Sequence, residues 1–494
     1  MGEDTKARIF SSTSLLTVGV VVNALIGIVI ARALARYLGV AGYGQYALAF
    51  VYLNFTAVIA NFGFDAILIR EVSRSRENAN VFLTAGIVLK LAFGAGAVLL
   101  GGLYVAFRGF APGYTLAVWL LLLTHFVAAF DTLEVAHKAH YRGGSAALGS
   151  MCSQLLTLGV VLWGRSAGWP LEWLIVSHVA VRIPRAGIFY LRLRSYAPFH
   201  WTWDAAKVRF VLRESAVIGL TGLLWVVYFR VDQLMLEWMK GVEAVGQYAA
   251  AYRFVDIALV GSGLMMASLF PLLSERWSEP GASFRRTYRR TVDYMAMAGA
   301  VAAGLLAVFS ADLIHYLFSP RFTEAVGILR ILSIAVFVIY LNNAFGHALI
   351  AVGVQGPAFL TTRLVGAFVN VSLNLLWIPR WGGYGAAWAT VLSEGAILLI
   401  APLFVRSRTG FGPRLGVPLM GAASIGLAWL AYRAAGAGGA APTLAGRLAG
   451  AGVIAAVLGI FLFSRRQQVR ELVLALRARA SKPSPPPSPS LPEG

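Results

Sequence analysis

The chain has 494 residues, of which 58% are hydrophobic and only 13% charged, and its mean hydropathy is +0.71. A soluble domain carries about 25% charged residues, so this composition excludes a water-soluble globular protein and places most of the chain in a membrane. The net charge of +20 is attributed to loops on one membrane face, and a nucleic-acid partner is not expected. The single cysteine, Cys152, excludes an intramolecular disulfide and argues against a cysteine-based metal site.

Fourteen apolar runs are long enough to cross a bilayer, since a spanning helix needs about 20 residues. The predicted spans cover residues 11–31, 46–68, 81–107, 114–132, 146–163, 171–191, 215–237, 247–273, 293–317, 324–350, 358–378, 384–405, 415–435 and 444–463. The N-terminal segment MGEDTKARIF lacks the pattern of a cleavable signal peptide, so the first run is expected to remain as a span. The predicted fold class is therefore an all-α polytopic membrane protein with about 14 transmembrane helices.

The basic residues predict the orientation of these spans. With the N-terminus in the cytoplasm, roughly two thirds of the 42 lysines and arginines fall on cytoplasmic segments, as the positive-inside rule requires. Both termini are therefore predicted to be cytoplasmic. Residues 465–494 begin as a basic stretch, expected to rest on anionic headgroups, and end as a Pro/Ser-rich segment expected to be disordered.

An internal repeat divides the chain. GVAGYGQYALAF at 39–50 and GVEAVGQYAAAY at 241–252 are identical at seven of twelve positions, with an offset of 202 residues. This repeat predicts an N-lobe in residues 1–200 (spans 1–6) and a C-lobe in residues 201–410 (spans 7–12), arranged in parallel around a central cavity. Residues 411–464 hold two additional spans, 13 and 14.

Four charged residues lie inside the hairpin of spans 7 and 8, where a charge is costly and calls for an explanation. Depth along the helices favours an ion pair between Asp232 and Arg253. Arg230 is two residues from Asp232 and cannot share its helix face, so it is left to face either the cavity or Asp256. These pairs either lock the hairpin or take part in transport.

Lys90, Asp65 and Glu394 are further charged residues within predicted spans. Lys90 is about 13 Å deep in span 3 by the helical rise and is predicted to line a polar cavity. Asp65 and Glu394 are interpreted as partners for cations or as proton sites.

The remaining arginines near the membrane have two interpretations each. Arg363 lies five residues into span 11 and either lines the cavity or extends to the inner surface. Arg32 and Arg36 are one helical turn apart at the outer end of span 1. They either receive an anionic headgroup or are solvated at the interface.

A row of possible metal ligands lies at the inner end of span 4: Asp131, Glu134, His137 and His140. Steps of three residues drift by about 60° each around a helix, so four such ligands do not converge on one ion and no metal site is predicted. The sequence also contains no P-loop, GxSxG or HExxH pattern, so we expect a protein that is not an enzyme.

Several segments resemble one family. ARALARYLGVAGYGQYALAF at 31–50, NFGFDAILIREVSR at 61–74, YFRVDQLMLEWMKGVEAVGQYAAAYRFVD at 228–256 and WGGYGAAWATVLSE at 381–394 are similar to bacterial polysaccharide repeat-unit flippases. These are the Wzx-type members of the multidrug/oligosaccharidyl-lipid/polysaccharide exporter superfamily. The likeness covers roughly residues 10–405.

The resemblance implies transport of undecaprenyl-diphosphate-linked oligosaccharides from the inner to the outer leaflet of a bacterial cytoplasmic membrane, for O-antigen, capsule or exopolysaccharide synthesis. It implies that Arg230, Arg253 and Lys90 meet the diphosphate. Membrane lipids and other polysaccharide-assembly proteins are the expected partners, and no cofactor is expected. Coupling to H⁺, to Na⁺ or to the membrane potential stays open.

Three alternatives remain. A cation-coupled multidrug antiporter shares the architecture, and the buried charges, five acidic and four basic, do not separate it from a flippase. A lipid II flippase matches the fourteen spans, although the arginine-rich first span typical of that group is absent here. A membrane glycosyltransferase would need acidic residues on an outer loop, and the first outer loop, RALARYLGVAGYGQY, has none.

Overall fold

The structure, a computed structural model, describes residues 3–139, 143–195, 197–277, 281–353, 357–435 and 444–466, without the side chains of 3–16, 143–146 and 357–359. Within these ranges all regular structure is helical. The helices are α1 (Glu3–Asn61), α2 (Phe64–Arg74), α3 (Ala79–Phe107), α4 (Pro112–Leu122), α5 (Thr124–Ala129), a 3₁₀ turn (Phe130–Thr132), α6 (Leu133–Ala139), α7 (Gly143–Ser166), α8 (Leu171–Arg194), α9 (Ala205–Lys240), α10 (Val242–Trp277), α11 (Ala282–Val308), α12 (Ser310–Leu317), α13 (Thr323–Ala351), α14 (Pro357–Thr409), α15 (Gly416–Ala435) and α16 (Leu444–Ser464).

Eleven helical stretches in the described ranges are long and apolar enough to cross a membrane. Two of them, residues 17–61 and 360–409, are 45 and 50 residues long, about twice the length that one crossing needs. Each bends at a glycine with positive φ, Gly39 or Gly382, and so supplies two crossings. The 20-residue helix α15 is less apolar than these eleven but has the length of a fourteenth crossing. The predicted all-α polytopic fold class is thus confirmed.

The two copies of the repeated motif explain its glycines. Gly39 and Gly241, 202 residues apart, both have positive φ (70° and 81°), which a glycine adopts without steric cost, and both redirect the chain into the next crossing. Gly44 lies against the Val242 carbonyl, and Gly246 lies against the Val40 carbonyl. The motif copies therefore pack on each other in a reciprocal arrangement. The lobe boundaries themselves stay predictions.

We call the end of the bundle with residues 70–78 and 197–204 the inner end and the opposite end the outer end, following the predicted orientation. The two lobes meet at the outer end. There the Tyr43 ring packs edge-on against Phe318 and Phe322, with centroids 5.5 and 5.9 Å apart. The backbones of the two motif copies pack on each other at their glycines in the same region. The protein is therefore closed at its outer end.

Arg32 and Arg36 belong to this outer closure. The Arg36 guanidinium donates a hydrogen bond to the Tyr316 carbonyl at 2.8 Å, and the Arg32 guanidinium lies 4.3 Å from the centre of the Tyr316 ring. Neither predicted interpretation, a headgroup site or a solvated interface, included this contact between the lobes.

One further prediction differs from the structure in detail. The predicted span 114–132 continues to Ala139 as a broken segment, because the 3₁₀ turn of residues 130–132 interrupts the α-helical hydrogen bonds. Of the predicted tail, residues 467–494 lie outside the described residues.

Candidate functional site

Two adjoining cavities occupy the middle of the protein. The inner cavity, about 590 Å³, lies between α1, α3, α8, α9 and the broken segment of α4–α6, and it reaches Asp65 and Lys138 near the inner end. The central cavity, about 300 Å³, lies between α1, α7, α8, α9 and α10. Asn54 and Arg230 line both cavities. Asp65 and Lys138 are each 42% exposed, so water reaches the inner cavity from the inner end.

Arg230 stands where the two cavities meet. Its guanidinium pairs with Asp256 at 2.9 Å, and its centre lies 5.2 Å from the centre of the Tyr252 ring. Both members of the pair are partly exposed to the cavity, at 23% and 29%. This arrangement corresponds to one of the two predicted placements of Arg230, the contact with Asp256.

The predicted pair of Asp232 and Arg253 is wrong. Asp232 is 2% exposed and accepts hydrogen bonds from the Tyr248 hydroxyl and from the backbone N–H of Gln233. Residues 230 and 232 face different sides of α9, so Asp232 meets the motif tyrosine of α10 while Arg230 faces the cavities. Depth along the helices did not reveal which side chain of α10 would face Asp232.

Arg253 lines the central cavity instead. Its guanidinium lies against Gly27 of α1, where a Cβ atom would overlap it. The Arg253 Nε is buried and has no hydrogen-bond acceptor in the part of the chain that the structure describes. A buried N–H group without a partner is costly, so this donor is ready for an acceptor brought by a ligand.

Lys90 lies in the wall of the inner cavity, as its depth predicted. It is 5% exposed, and its ammonium pairs with Asp65 at 2.6 Å. Of the two predicted interpretations of Asp65, the cation partner agrees with this contact. Whether Lys90 binds substrate remains a prediction.

Glu394 and Arg363 lie apart from both cavities. Glu394 is 2% exposed and accepts a hydrogen bond from the Asn342 side chain at 2.6 Å. Arg363 of α14 is partly buried and lies close enough to Glu394 for an electrostatic interaction. Neither residue is among those that line the two cavities.

The candidate metal ligands of the α4–α6 segment form an ionic network. Arg185 of α8 pairs with Glu134 at 2.8 Å and lies 3.6 Å from Asp131, and Lys138 pairs with Glu134 at 2.9 Å. His137 hydrogen-bonds the Phe189 carbonyl at 2.9 Å. No group of possible ligands comes together in the described part of the chain, and His140 lies outside the described residues.

Sequence reasoning missed Arg182 and Arg185 as cavity residues. Both lie on α8, three residues apart and so on one helix face, and both line the inner cavity. Arginines near the inner ends of spans are normally explained by the positive-inside rule, so their position alone does not indicate a cavity. Their one-turn spacing inside a predicted span was the available signal.

The described lining of the two cavities is net basic. It holds six basic and four acidic residues: Lys90, Lys138, Arg182, Arg185, Arg230 and Arg253 against Asp65, Asp131, Glu134 and Asp256. The acidic residues are engaged by neighbouring cations, which leaves a basic surplus. Because guanidinium groups present planar sets of N–H donors, such a cavity suits a carboxylate, phosphate or diphosphate.

Comparison with known proteins places this architecture. A family model described as "Polysaccharide biosynthesis protein" matches residues 9–277, more than half of the chain. The chain belongs to the polysaccharide biosynthesis protein family. The uncharacterized membrane protein MJ1068 of Methanocaldococcus jannaschii is 32% identical over 180 residues, 35% of this chain and 34% of that protein. The match therefore spans about a third of that relative's length.

Several solved structures have the same fold as this chain. The lipid II flippase MurJ in an inward closed conformation superposes with a TM-score of 0.70 at 14% identity, over 91% of this chain and 99% of that one. An inward-facing multidrug resistance MATE transporter of the MOP superfamily gives a TM-score of 0.65 at 14% identity, over 78% and 94%. A MOP superfamily transporter from Pyrococcus furiosus gives 0.60 at 14% identity, over 81% and 96%. The predicted membership of a polysaccharide family is thus confirmed, and the fold is shared with the lipid II flippase MurJ and with MATE transporters.

Proposed function

We propose that this protein is a flippase that moves a polyprenyl-diphosphate-linked oligosaccharide from the inner to the outer leaflet for polysaccharide synthesis. Undecaprenyl is the carrier expected in a bacterial cytoplasmic membrane. The observation that carries the proposal is the net basic lining of the two cavities. The unpartnered Nε of Arg253 and the junction position of Arg230 add donors at the depth where the diphosphate would pass.

The chemistry of such a substrate fits this arrangement. A diphosphate leaves water only where cations and N–H donors replace its hydration, because an unpaired buried charge is very costly. The inner cavity, partly hydrated at Asp65 and Lys138, provides the entrance, and the arginines that line the two cavities provide a path toward the outer end. The polyprenyl tail would remain in the lipid.

A transport role without catalysis is part of the proposal. The supporting observations are the family description and the fold shared with a lipid II flippase and MATE transporters. The membrane potential supplies a driving force for the direction. A cell interior that is negative favours outward movement of negative charge by about 2.3 kcal/mol per charge per 100 mV. A coupling ion, H⁺ or Na⁺, remains an alternative source of energy.

A lipid II flippase is the second candidate. The specific observation in its favour is the superposition on MurJ over 91% of this chain, against 78% for the inward-facing MATE transporter. Both candidates carry a polyprenyl diphosphate and differ in the sugar part. The cation antiporter is disfavoured because the cavity lining holds more basic than acidic residues, a polarity that repels organic cations.

The test is a leaflet-exposure assay in proteoliposomes. Undecaprenyl-diphosphate-linked oligosaccharide, lipid II and a cationic dye are each presented to one side of the membrane, with and without a negative interior. Protein-dependent access to the opposite leaflet for the linked oligosaccharide supports the proposal, and access for lipid II alone favours the second candidate. Potential-dependent uptake of the dye without movement of either lipid would overturn both.

A further inference from the structure

A second basic site, separate from the inner and central cavities, lies at the inner end of the C-lobe. A cavity of about 330 Å³ is lined by six arginines: Arg285, Arg286, Arg289, Arg290, Arg414 and Arg465. We call it the arginine pocket. Four of the arginines lie on the first turns of α11, Arg414 precedes α15, and Arg465 follows α16. The pocket therefore lies between the C-lobe and the two added helices. Its described lining shares no residue with the inner or the central cavity.

The charge of this pocket is not balanced by its own lining. Its described lining contains a single carboxylate, that of Asp293, which is 3% exposed and pairs with Arg465 at 3.1 Å. Arg285, Arg286 and Arg414 are exposed around the rim. Guanidinium groups held this close together repel one another, and a bound anion would relieve that repulsion.

The helix direction increases the imbalance. Arg285 and Arg286 lie at the first turn of α11, which contains no acidic residue, and Arg289 and Arg290 follow one turn later. The N-terminal end of a helix carries partial positive charge, so cations there are unfavourable and anions are favourable. Their spacing forms two i,i+4 pairs on adjacent faces, a set of planar donors that matches phosphate oxygens.

The surroundings indicate a lipid as the source of the anion. Leu415, next to Arg414, is 62% exposed, and Phe463, two residues before Arg465, is 71% exposed. Such apolar side chains fit a hydrocarbon environment directly beside the basic rim. We propose that the arginine pocket binds the phosphate groups of an inner-leaflet lipid whose headgroup carries at least two negative charges. Basic pockets between helices on the cytoplasmic side are known to hold such headgroups.

The test uses the full chain, purified in detergent and depleted of lipid. Thermal unfolding is followed while cardiolipin, phosphatidylcholine or sodium pyrophosphate is added. The variant Arg285→Gln/Arg286→Gln/Arg414→Gln removes three rim charges. The matched control, Arg192→Gln/Arg194→Gln/Arg408→Gln, removes three exposed arginines from the same end of the protein.

Cardiolipin is expected to raise the unfolding temperature of the wild type and of the control. In the rim variant, the cardiolipin concentration that gives half of this stabilisation should rise by about tenfold. A tenfold rise corresponds to losing roughly 1.4 kcal/mol of binding free energy. If cardiolipin binding is weakened equally in the rim variant and in the control, the effect comes from general surface charge, and the proposed site is wrong. Equal protection by pyrophosphate would overturn the lipid as the source. If the triple variant does not fold, the single changes Arg285→Gln and Arg414→Gln must each weaken cardiolipin binding while Arg408→Gln does not.

Discussion

Gly44 lies so close to the Val242 carbonyl that a Cβ atom at residue 44 would overlap the carbonyl oxygen. The same relationship recurs 202 residues later, where a Cβ atom on Gly246 would overlap the Val40 carbonyl oxygen. The two repeats thus contact each other with their backbones at the outer end. Since backbone atoms cannot move aside as a side-chain tip can, these glycines are required for the closed outer end.

The variants Gly44→Ala and Gly246→Ala should therefore destabilise the outward-closed state. An overlap with backbone atoms forces the lobes apart, and a cost of about 1–3 kcal/mol would shift the conformational equilibrium by about 5- to 150-fold. The measurement is labelling of Asn54→Cys, in a Cys152→Ser background, by a membrane-impermeant thiol reagent added on the outer side. Faster labelling is expected in both glycine variants.

Gly263→Ala is the matched control for this experiment. Gly263 also lies in α10, but a Cβ atom there meets no other atom within 4 Å. Its labelling rate should equal that of the parent. Unchanged labelling in Gly44→Ala and Gly246→Ala would show that the outer contact does not control access to the cavities.

The buried bond between Tyr248 and Asp232 predicts an effect on stability. Tyr248→Phe leaves a carboxylate that is 2% exposed without its hydroxyl donor, which costs about 1–3 kcal/mol of unfolding free energy. Thermal unfolding in detergent measures the change. Tyr190→Phe, at an exposed tyrosine, should leave the unfolding temperature unaltered, and a similarly small effect of Tyr248→Phe would contradict a structural role for this bond.

The pair of Arg230 and Asp256 can be assigned to structure or to transport by a double variant. Arg230→Ala is expected to abolish transport while membrane insertion stays intact. Arg230→Ala/Asp256→Ala removes both charges and should recover the stability lost in the single variant, because Asp256 is no longer left without its cationic partner. In the leaflet-exposure assay it should remain inactive, since the donor for the diphosphate is still missing. Recovery of transport in the double variant would make the pair a structural lock.

Much of this fold could be predicted from the sequence because the membrane imposes strong rules. Apolar length predicted the fourteen crossings, and the 202-residue repeat pointed to the segments whose glycines meet at the outer end. Both signals can be found in the order of the residues and do not depend on packing. Orientation depends on a charge bias and remains a prediction.

The ion pairs were harder to predict, because partners depend on helix rotation and on which neighbour is adjacent. Depth along α9 and α10 predicted an ion pair between Asp232 and Arg253. In the structure Asp232 instead contacts Tyr248, and Arg230 pairs with Asp256. Arg182 and Arg185 were missed because arginines at inner helix ends are normally explained by orientation. Arg36 was interpreted without the residue that it contacts, Tyr316, which is 280 positions away in the chain.

Arg253 provides the most direct test of the proposed substrate contact. It lines the central cavity, and its buried Nε has no acceptor in the described ranges, so replacing it leaves no partner stranded. Arg253→Gln should therefore retain the unfolding temperature but reduce transport of the linked oligosaccharide by roughly tenfold or more. That factor corresponds to losing a charged hydrogen bond worth about 1.5–3 kcal/mol. Arg253→Lys should recover only part of the rate, because an ammonium lacks the planar donors of a guanidinium.

Arg165→Gln is the matched control, since Arg165 is exposed at the outer end of α7 and lines neither cavity. It loses the same charge and should transport at the wild-type rate. The proposed substrate contact requires that Arg253→Gln lose transport and keep its unfolding temperature. A lower unfolding temperature would indicate instead that the guanidinium supports the contact between α1 and α10 at Gly27. A wild-type rate in Arg253→Gln would instead remove this arginine from the path of the diphosphate and leave Arg230 as the principal donor at the junction of the cavities.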